Sequence, residues 1–370
     1  MINLYGVEMK KLVDQMIALG QKSFRATQLY TWIFEKRADN FDEMSDISLK
    51  FREVLKEKYC LKLPTIHTKQ VSSDGTIKLL LEFEDKAKVE TVLMRYNYGL
   101  AACVSSQVGC DMGCSFCNSG LLGRKRNLTA AEMVGQILVL NNLLREEDLG
   151  LHITHVVVMG TGEPFLNYDN VMNFIRIINN QKGLAIGARH ITVSTCGIVP
   201  GIKKYAYEGL QTNLAISLHA PNNELRNKMM KINKVYPLED LFPAIKEYES
   251  AAGRRVTYEY LLIEGVNDTK ECAEELIELI KGTFICKMCN SAVKNIEPTL
   301  LPSTICPTAG INPLSPKLST PVFVNLTALF QLAILPPLSL SKVKVPAFVT
   351  EVTPAPNVKL LNVAVPPASI

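Results

Sequence analysis

No run of eighteen apolar residues occurs in this chain of 370 residues, so no segment has the length and uniformity of a membrane-spanning helix. The opening MINLYGVEMKKLVDQM also lacks the uninterrupted apolar core of a secretory leader, and a cytoplasmic protein with no membrane association is expected. Nor is either charge in large excess: 40 Lys and Arg face 36 Asp and Glu, a net charge of +4. So mild a basic balance admits a nucleic-acid partner without arguing for one. Cysteine is not scarce. Ten are present, three of them tightly clustered, which suits thiolates holding metal in a reducing compartment better than a disulfide framework. The length allows one large domain with an appendage, or two ordinary domains, each with a sizeable core.

Residues 8 to 60 read as a small helical unit, because apolar positions in FRATQLYTWIFEK and ISLKFREVLKEKY recur at spacings of three and four. Strand composition follows in TIKLLLEFE and KVETVLMRY, with SSDG as a turn before the first. From about Thr129 helices alternate with short apolar strands. The helices are TAAEMVGQILVLNNLLREE, YDNVMNFIRIINN, LEDLFPAIKEYESAAG and TKECAEELIELIKG; the strands are THVVVMG, HITVSTCG, NLAISLHA and VTYEYLLI. This alternation indicates parallel βα units, in an open sheet or in a whole or partial barrel. In either arrangement functional groups collect at the carboxyl ends of the strands.

The pattern breaks near Thr283. Residues 284–370 hold 13 of the 19 Pro, one Gly, and no Arg, Asp, His, Tyr or Trp. Their six Lys and two acids, Glu297 and Glu351, leave 34 basic and 34 acidic residues ahead of them, so the net charge lies entirely in this tail. Proline and missing periodicity argue against regular helices or central strands there, and an irregular tail is expected.

The strongest chemical signal is Cys110-x3-Cys114-x2-Cys117, in SSQVGCDMGCSFCNSG. Three thiolates on one short loop can ligate three irons of a [4Fe-4S] cubane and leave the fourth iron open. With this spacing the open iron takes S-adenosylmethionine, whose sulfonium is cleaved by a cluster electron to a 5'-deoxyadenosyl radical. A structural zinc loop would need a close fourth Cys or His, and none is present nearby. Gly109, Gly113 and Phe116 interleaved among the cysteines weigh against three core cysteines brought together by chance.

A second signal, Gly160-Thr161-Gly162-Glu163-Pro164, directly follows the strand THVVVMG. Glycines at a strand end let the backbone approach a ligand, and Glu163 can accept hydrogen bonds from the ammonium of bound S-adenosylmethionine. By itself such a segment is a common turn, and the cysteine loop ahead of it is what adds weight. Ser194 and Thr195 close one later strand, and Ser217, Leu218 and His219 close another. Each polar group there could touch the ribose, adenine or carboxylate of the cofactor, or be a satisfied core or turn residue.

Together CVSSQVGCDMGCSFCNSG, VVVMGTGEP, HITVSTCGIVPGI, LAISLHAPNNELRNKMMKIN and LIEGVND resemble the dual-specificity RNA methyltransferases of the RlmN type, as does FRATQLYTWIF in the helical unit. The resemblance spans about residues 8 to 283. It implies an α/β fold with a partial (β/α) radical-SAM barrel over 101–283, a helical RNA-recognition domain over 1–62, and a connector with a small β-sheet over 63–100. It further implies methylation of adenine C2 in 23S rRNA and tRNA, an external flavodoxin-like electron donor, and a monomeric enzyme. In this family a protein cysteine first receives a methyl group; its methylene radical then adds to adenine, giving a thioether-linked intermediate. By the same resemblance Gly162, Glu163, Ser194, Ser217, Leu218 and His219 contact S-adenosylmethionine. Cys103 matches the second cysteine that resolves the adduct, and Glu90 the glutamate that accepts a proton. On residue chemistry alone Cys103 reads as a small buried hydrophobe and Glu90 as a solvated strand residue. Methyltransferases acting on adenine C8 share the same cysteines, and a non-catalytic RNA-binding remnant would keep the cluster loop and the helical domain.

The resemblance ends at KGTF. Neither an ACGQL-like stretch for the methyl-carrying cysteine nor a LIPYNP-like stretch for a cofactor-contacting Asn occurs in the chain, and Cys286, Cys289, Cys306 and Asn312 stand in other contexts. Translation in a shifted reading frame would give such a tail. A divergent segment with a zinc site on Cys286-x2-Cys289 is the alternative.

Overall fold

The chain opens with a strand of two residues, β1 (Ile2–Asn3), and three helices, α1 (Met9–Ala18), α2 (Phe24–Tyr30) and α3 (Leu49–Lys58). The computed structural model describes residues 1–281 apart from Leu122 and Leu149. The expectations for the tail, with those on Cys286, Cys289, Cys306 and Asn312, lie outside the described residues. In α1, Leu12 and Met16 sit one helical turn apart and are both buried. α2 runs on into a π-helical turn over Thr31–Glu35, which buries Trp32, Ile33 and Phe34 in succession. Trp32 donates its indole N–H to Asp46 at 2.6 Å and carries the Lys36 ammonium 3.6 Å from its ring centre. β2 (Tyr59–Cys60) closes this part by pairing in parallel with β1.

Four strands follow in an antiparallel meander: β3 (Thr65–Val71), β4 (Ile77–Glu82), β5 (Lys88–Tyr96) and β6 (Gly99–Cys103). β4 alternates buried and half-buried residues, as a strand with one face on the core must. Every residue of β3, at the edge, is exposed. β6 is unassigned by the sequence reading, and it joins the meander to the parallel strands that come later. Beyond a short ribbon of β7 (Gln107–Val108) and β8 (Arg126–Asn127) comes α4 (Ala130–Glu147), started by a reciprocal capping box between Thr129 and Glu132. β9 (His155–Val158) then pairs in parallel with β6, α5 (Tyr168–Asn179) follows, and β10 (Ile191–Thr195) pairs in parallel with β9.

These elements make up the first of two units, Met1–Asp111 with Leu121–Val193. The second takes Met112–Gly120 and the described residues from Ser194 onward. It contains α6 (Val199–Ala206), β11 (Asn213–Ser217), α7 (Asn223–Met229), α8 (Leu238–Ala252), β12 (Val256–Glu259) and α9 (Lys270–Ile280). β11 and β12 are parallel, with Leu214 opposite Val256. α8 stops at Gly253, whose φ of 64° lets its N–H turn back to the Glu249 carbonyl at 3.1 Å. The strands and helices expected after Thr129 are present in the order expected, joined by two helices that the sequence reading does not assign, α6 and α7. Among the described residues no helix is long and apolar enough to cross a membrane.

Candidate active site

In the first unit the loop after β9 is held by the segment after β6. Gly160 N–H donates to the Val104 carbonyl at 3.0 Å, and Ser106 and Gln107 N–H both donate to the Thr161 carbonyl, at 2.9 and 3.1 Å. Side chains complete the lacing. Ser105 Oγ accepts from Thr161 N–H at 2.9 Å, and Gln107 Oε1 accepts from Glu163 N–H at 2.8 Å. Ser105, Ser106 and Gln107 are all buried, and Gln136 of α4 brackets Ser105 by accepting from its N–H and donating to its carbonyl. A side-chain amide here does what a neighbouring strand would do, and so satisfies backbone groups that water cannot reach.

Gly160 and Gly162 have their reason in this lacing. A Cβ on Gly160 would lie 2.7 Å from Ser105 Oγ, and one on Gly162 would lie 2.5 Å from Gln107 Cβ. The close approach that demands glycine is to the chain's own residues 104–107. Gly162 also has a φ of +110°. Gly162→Ala is accordingly expected to destabilise the fold by about 3 kcal/mol, from overpacking together with backbone strain. A lowered urea midpoint at unchanged m-value would show it, and an unaltered midpoint would mean that the loop shifts freely.

Glu163 is buried, and its Oε1 accepts the Phe165 N–H at 2.9 Å and caps the short helical turn Pro164–Asn167. Asn167, at the end of that turn, ties back to the Ser106 and Leu128 carbonyls. The carboxylate expected to meet a ligand thus also holds its own loop.

Glu90 and Cys103 come together through strand register. On the antiparallel pair β5 and β6, Cys103 stands opposite Val92, and Glu90 lies two residues from Val92 on β5. Side chains two apart share a face, so Glu90 and Cys103 are diagonal neighbours on one face of the sheet. Ser105 Oγ donates to the Glu90 carbonyl at 2.7 Å and so joins this strand to the loop after β9. Lys78 holds Glu90 Oε1 at 3.2 Å, while Oε2 is buried without a hydrogen-bond partner. Cys103 is 1% exposed. A carboxylate with one oxygen tethered and the other open is suited to taking up a proton.

The cysteine loop runs from the first unit, which holds Cys110, into the second, which holds Cys114 and Cys117. None of the three is in a disulfide, and each is half-buried, whereas Cys103 and Cys196 are buried. Gly109 and Gly113 turn the loop with φ of 74° and 60°. A Cβ on Gly109 would strike the Gly123 carbonyl, and one on Gly113 would come 3.1 Å from Lys231 Nζ. Ser115 N–H donates to the Met229 carbonyl at the end of α7, at 2.9 Å.

Within the second unit Ser194 and Ser217 meet at the ends of β10 and β11, their hydroxyls 3.4 Å apart, and Ser217 donates to Glu259 at 2.8 Å. Leu218 is fully buried, its N–H on the Glu259 carbonyl. His219 has a φ of 56°, and its ring packs edge-on to Phe116 of the cysteine loop with centres 4.8 Å apart. Its Nδ1 accepts the Leu261 N–H at 3.0 Å, which leaves the proton on Nε2. Burial, helped by the nearby Arg226 charge, pushes its pKa down to about 3, so the ring is neutral at physiological pH. The sequence reading gave no role to Arg226, although it lies within LAISLHAPNNELRNKMMKIN. It also passed over Ser105 and Gln107, whose polarity beside a strand end was the available clue.

Among the described residues no three His, Cys, Asp or Glu side chains are gathered closely enough to hold a metal ion. The donor chemistry of the loop nevertheless fits an iron–sulfur cluster: three thiols, none oxidised, none sealed in the core, on a backbone turned by left-handed glycines.

Residues 104–280 match the model of the radical SAM superfamily, and residues 2–61 match that of the ribosomal RNA large subunit methyltransferase N-terminal domain. The chain is 51% identical over 280 residues to a probable dual-specificity RNA methyltransferase RlmN of Lactococcus lactis, a match that covers 75% of this chain and 77% of the relative. Its counterpart in Enterococcus faecalis is 52% identical, with 76% and 78% covered. A crystal structure of a radical SAM methyltransferase from Sphaerobacter thermophilus superposes with a TM-score of 0.72 at 42% identity, covering 76% of this chain and 83% of that one.

Proposed function

Since the chain belongs to the RlmN family of radical SAM RNA methyltransferases, we propose that it is built to methylate C2 of adenine in 23S rRNA and tRNA, and that without an ACGQL-like stretch to carry the methyl group the chain as written is inactive in that transfer. The observation that carries this reading is the Glu90 and Cys103 pair on one sheet face, with Glu90 Oε2 buried and unpaired. Adenine C2 is electrophilic, so its methylation ends with loss of a proton from the substituted carbon and release of the product from a protein sulfur. Glu90 Oε2 takes that proton, while Lys78 keeps Oε1 in place. Cys103 supplies the sulfur for release.

A [4Fe-4S] cluster on Cys110, Cys114 and Cys117, with S-adenosylmethionine at its open iron, supplies the one-electron chemistry that starts the reaction. By the family resemblance Gly162, Glu163, Ser194, Ser217, Leu218 and His219 are the residues assigned to cofactor contacts. Most of their polar groups are already oriented by the hydrogen bonds described above, so little order is lost on binding. The electron comes from an external flavodoxin-like donor, and the enzyme works as a cytoplasmic monomer. RNA is held by the helical domain over 1–62, where Lys10, Lys11 and Lys22 are exposed.

Reductant-dependent cleavage of S-adenosylmethionine tests the cofactor half of this reading. The anaerobically reconstituted chain is expected to release 5'-deoxyadenosine with dithionite and none without it. A chain that carries a full cluster and yields none would defeat the assignment.

A further inference from the structure

Arg226, on α7, is fully buried, and no part of the function proposed above uses it. Its Nε donates to the Leu218 carbonyl at 3.1 Å, Nη2 to the Cys196 and Ser217 carbonyls at 2.7 and 3.2 Å, and Nη1 to Asn233 Oδ1 at 2.8 Å. All four acceptors are neutral. Among the described residues no carboxylate pairs with this guanidinium. Burial lowers its pKa only to about 10, so it keeps its charge at neutral pH. A buried cation without a counter-ion is costly, and proteins rarely keep one unless a negative charge compensates it.

Arg226 holds the Cys196 carbonyl, and Cys196 and Cys114 of the cluster loop both lie within its electrostatic reach. The helix that carries Arg226 is tied to the same loop, through Ser115 N–H on the Met229 carbonyl. Three thiolates on a [4Fe-4S] core leave a net negative charge, which grows by one on reduction. Nearby net charge and hydrogen bonding are the levers that set such a potential.

We propose that Arg226 is a positioning residue for the cluster: it fixes the strand ends at Cys196, Ser217 and Leu218, and its buried charge stabilises the reduced cluster. The inference rests on the cluster assignment above. In the holoenzyme the cluster is the counter-ion that Arg226 otherwise lacks, and the attraction strengthens when the cluster accepts one electron from an external donor. Lys231, beside Gly113, is exposed, and solvent weakens its contribution.

The test is a redox titration of the anaerobically reconstituted full-length chain, following the EPR signal of the reduced cluster without S-adenosylmethionine. Two variants remove the field of Arg226 in different ways. Arg226→Gln deletes the charge. Asn233→Asp keeps the fork of hydrogen bonds and places a carboxylate on Nη1. Both are expected to lower the midpoint by about 59 mV, which is a tenfold fall in the ratio of reduced to oxidised cluster at a fixed potential. Arg226→Lys keeps the charge and should hold the wild-type midpoint. A purely structural Arg226 would give iron-poor Arg226→Gln protein and an Asn233→Asp midpoint equal to wild type, and that result overturns the proposal. Wild-type protein that takes up no iron would sink the cluster assignment itself, and this inference with it.

Discussion

Cys114→Ala is expected to take the anaerobically reconstituted protein from about four irons per chain to background, and to abolish its iron–sulfur absorption band. Cys110 and Cys117 remain in this variant, but two thiolates leave two cubane irons without protein ligands. No ready-made set of ligands stands in for it, because among the described residues no three His, Cys, Asp or Glu side chains are gathered to hold a metal ion. Cys103 and Cys196 are both buried. The fold itself should survive, since Cys114 is half-buried and its loop is anchored by the Ser115 and Met229 hydrogen bond. Far-UV circular dichroism would establish this. Stoichiometric zinc in place of iron in the wild type, or a variant that keeps its iron, would remove the cluster from this protein.

Methyl transfer should respond just as sharply to the C-terminal segment. The chain has no ACGQL-like or LIPYNP-like stretch, so its product after incubation with RNA and labelled cofactor is expected to contain no C2-methyladenine. A chimera that replaces residues 284–370 by the corresponding segment of an RlmN relative should make it. In that chimera Cys103→Ala should leave enzyme joined to RNA, visible as a slow band on a denaturing gel, because no second sulfur releases the adduct. Glu90→Gln should slow the same step by about 10²–10⁴-fold, the usual worth of a positioned proton acceptor. Formation of C2-methyladenine by the unaltered chain would mean that a cysteine within 284–370 already carries the methyl group.

The sequence made some of this site plain and left some of it silent. Spacing along the chain marks the cysteine loop, because Cys110, Cys114 and Cys117 fall on one short segment. It marks the helices too: the apolar rows of α5 and α8 recur at the helical period, and both lie where that period puts them. β6 escaped notice because GLAAC is short and carries no alternation. Its identity as a strand comes from its neighbours β5 and β9. The glycines after β9 were legible as special, but their partners were not. Gln107 and Glu163 are 56 residues apart and meet only in the folded chain.

The residues alone therefore determined the chemistry available to this protein: three clustered thiols, a glycine-rich strand end, and βα units that present polar groups at strand ends. Tertiary structure decided which groups stand side by side and which are tied into the scaffold. Glu90 and Cys103 share a face only because β5 and β6 pair in one register, and a slip of one residue would turn them to opposite faces. His219, a cofactor contact by resemblance, also spends its Nδ1 on the Leu261 N–H. Arg226 reads as one more helical cation, yet it is buried against carbonyls as far as 30 residues away. Local spacing is set by the covalent chain, whereas register, burial and the field of a buried charge depend on segments that meet only when the core closes.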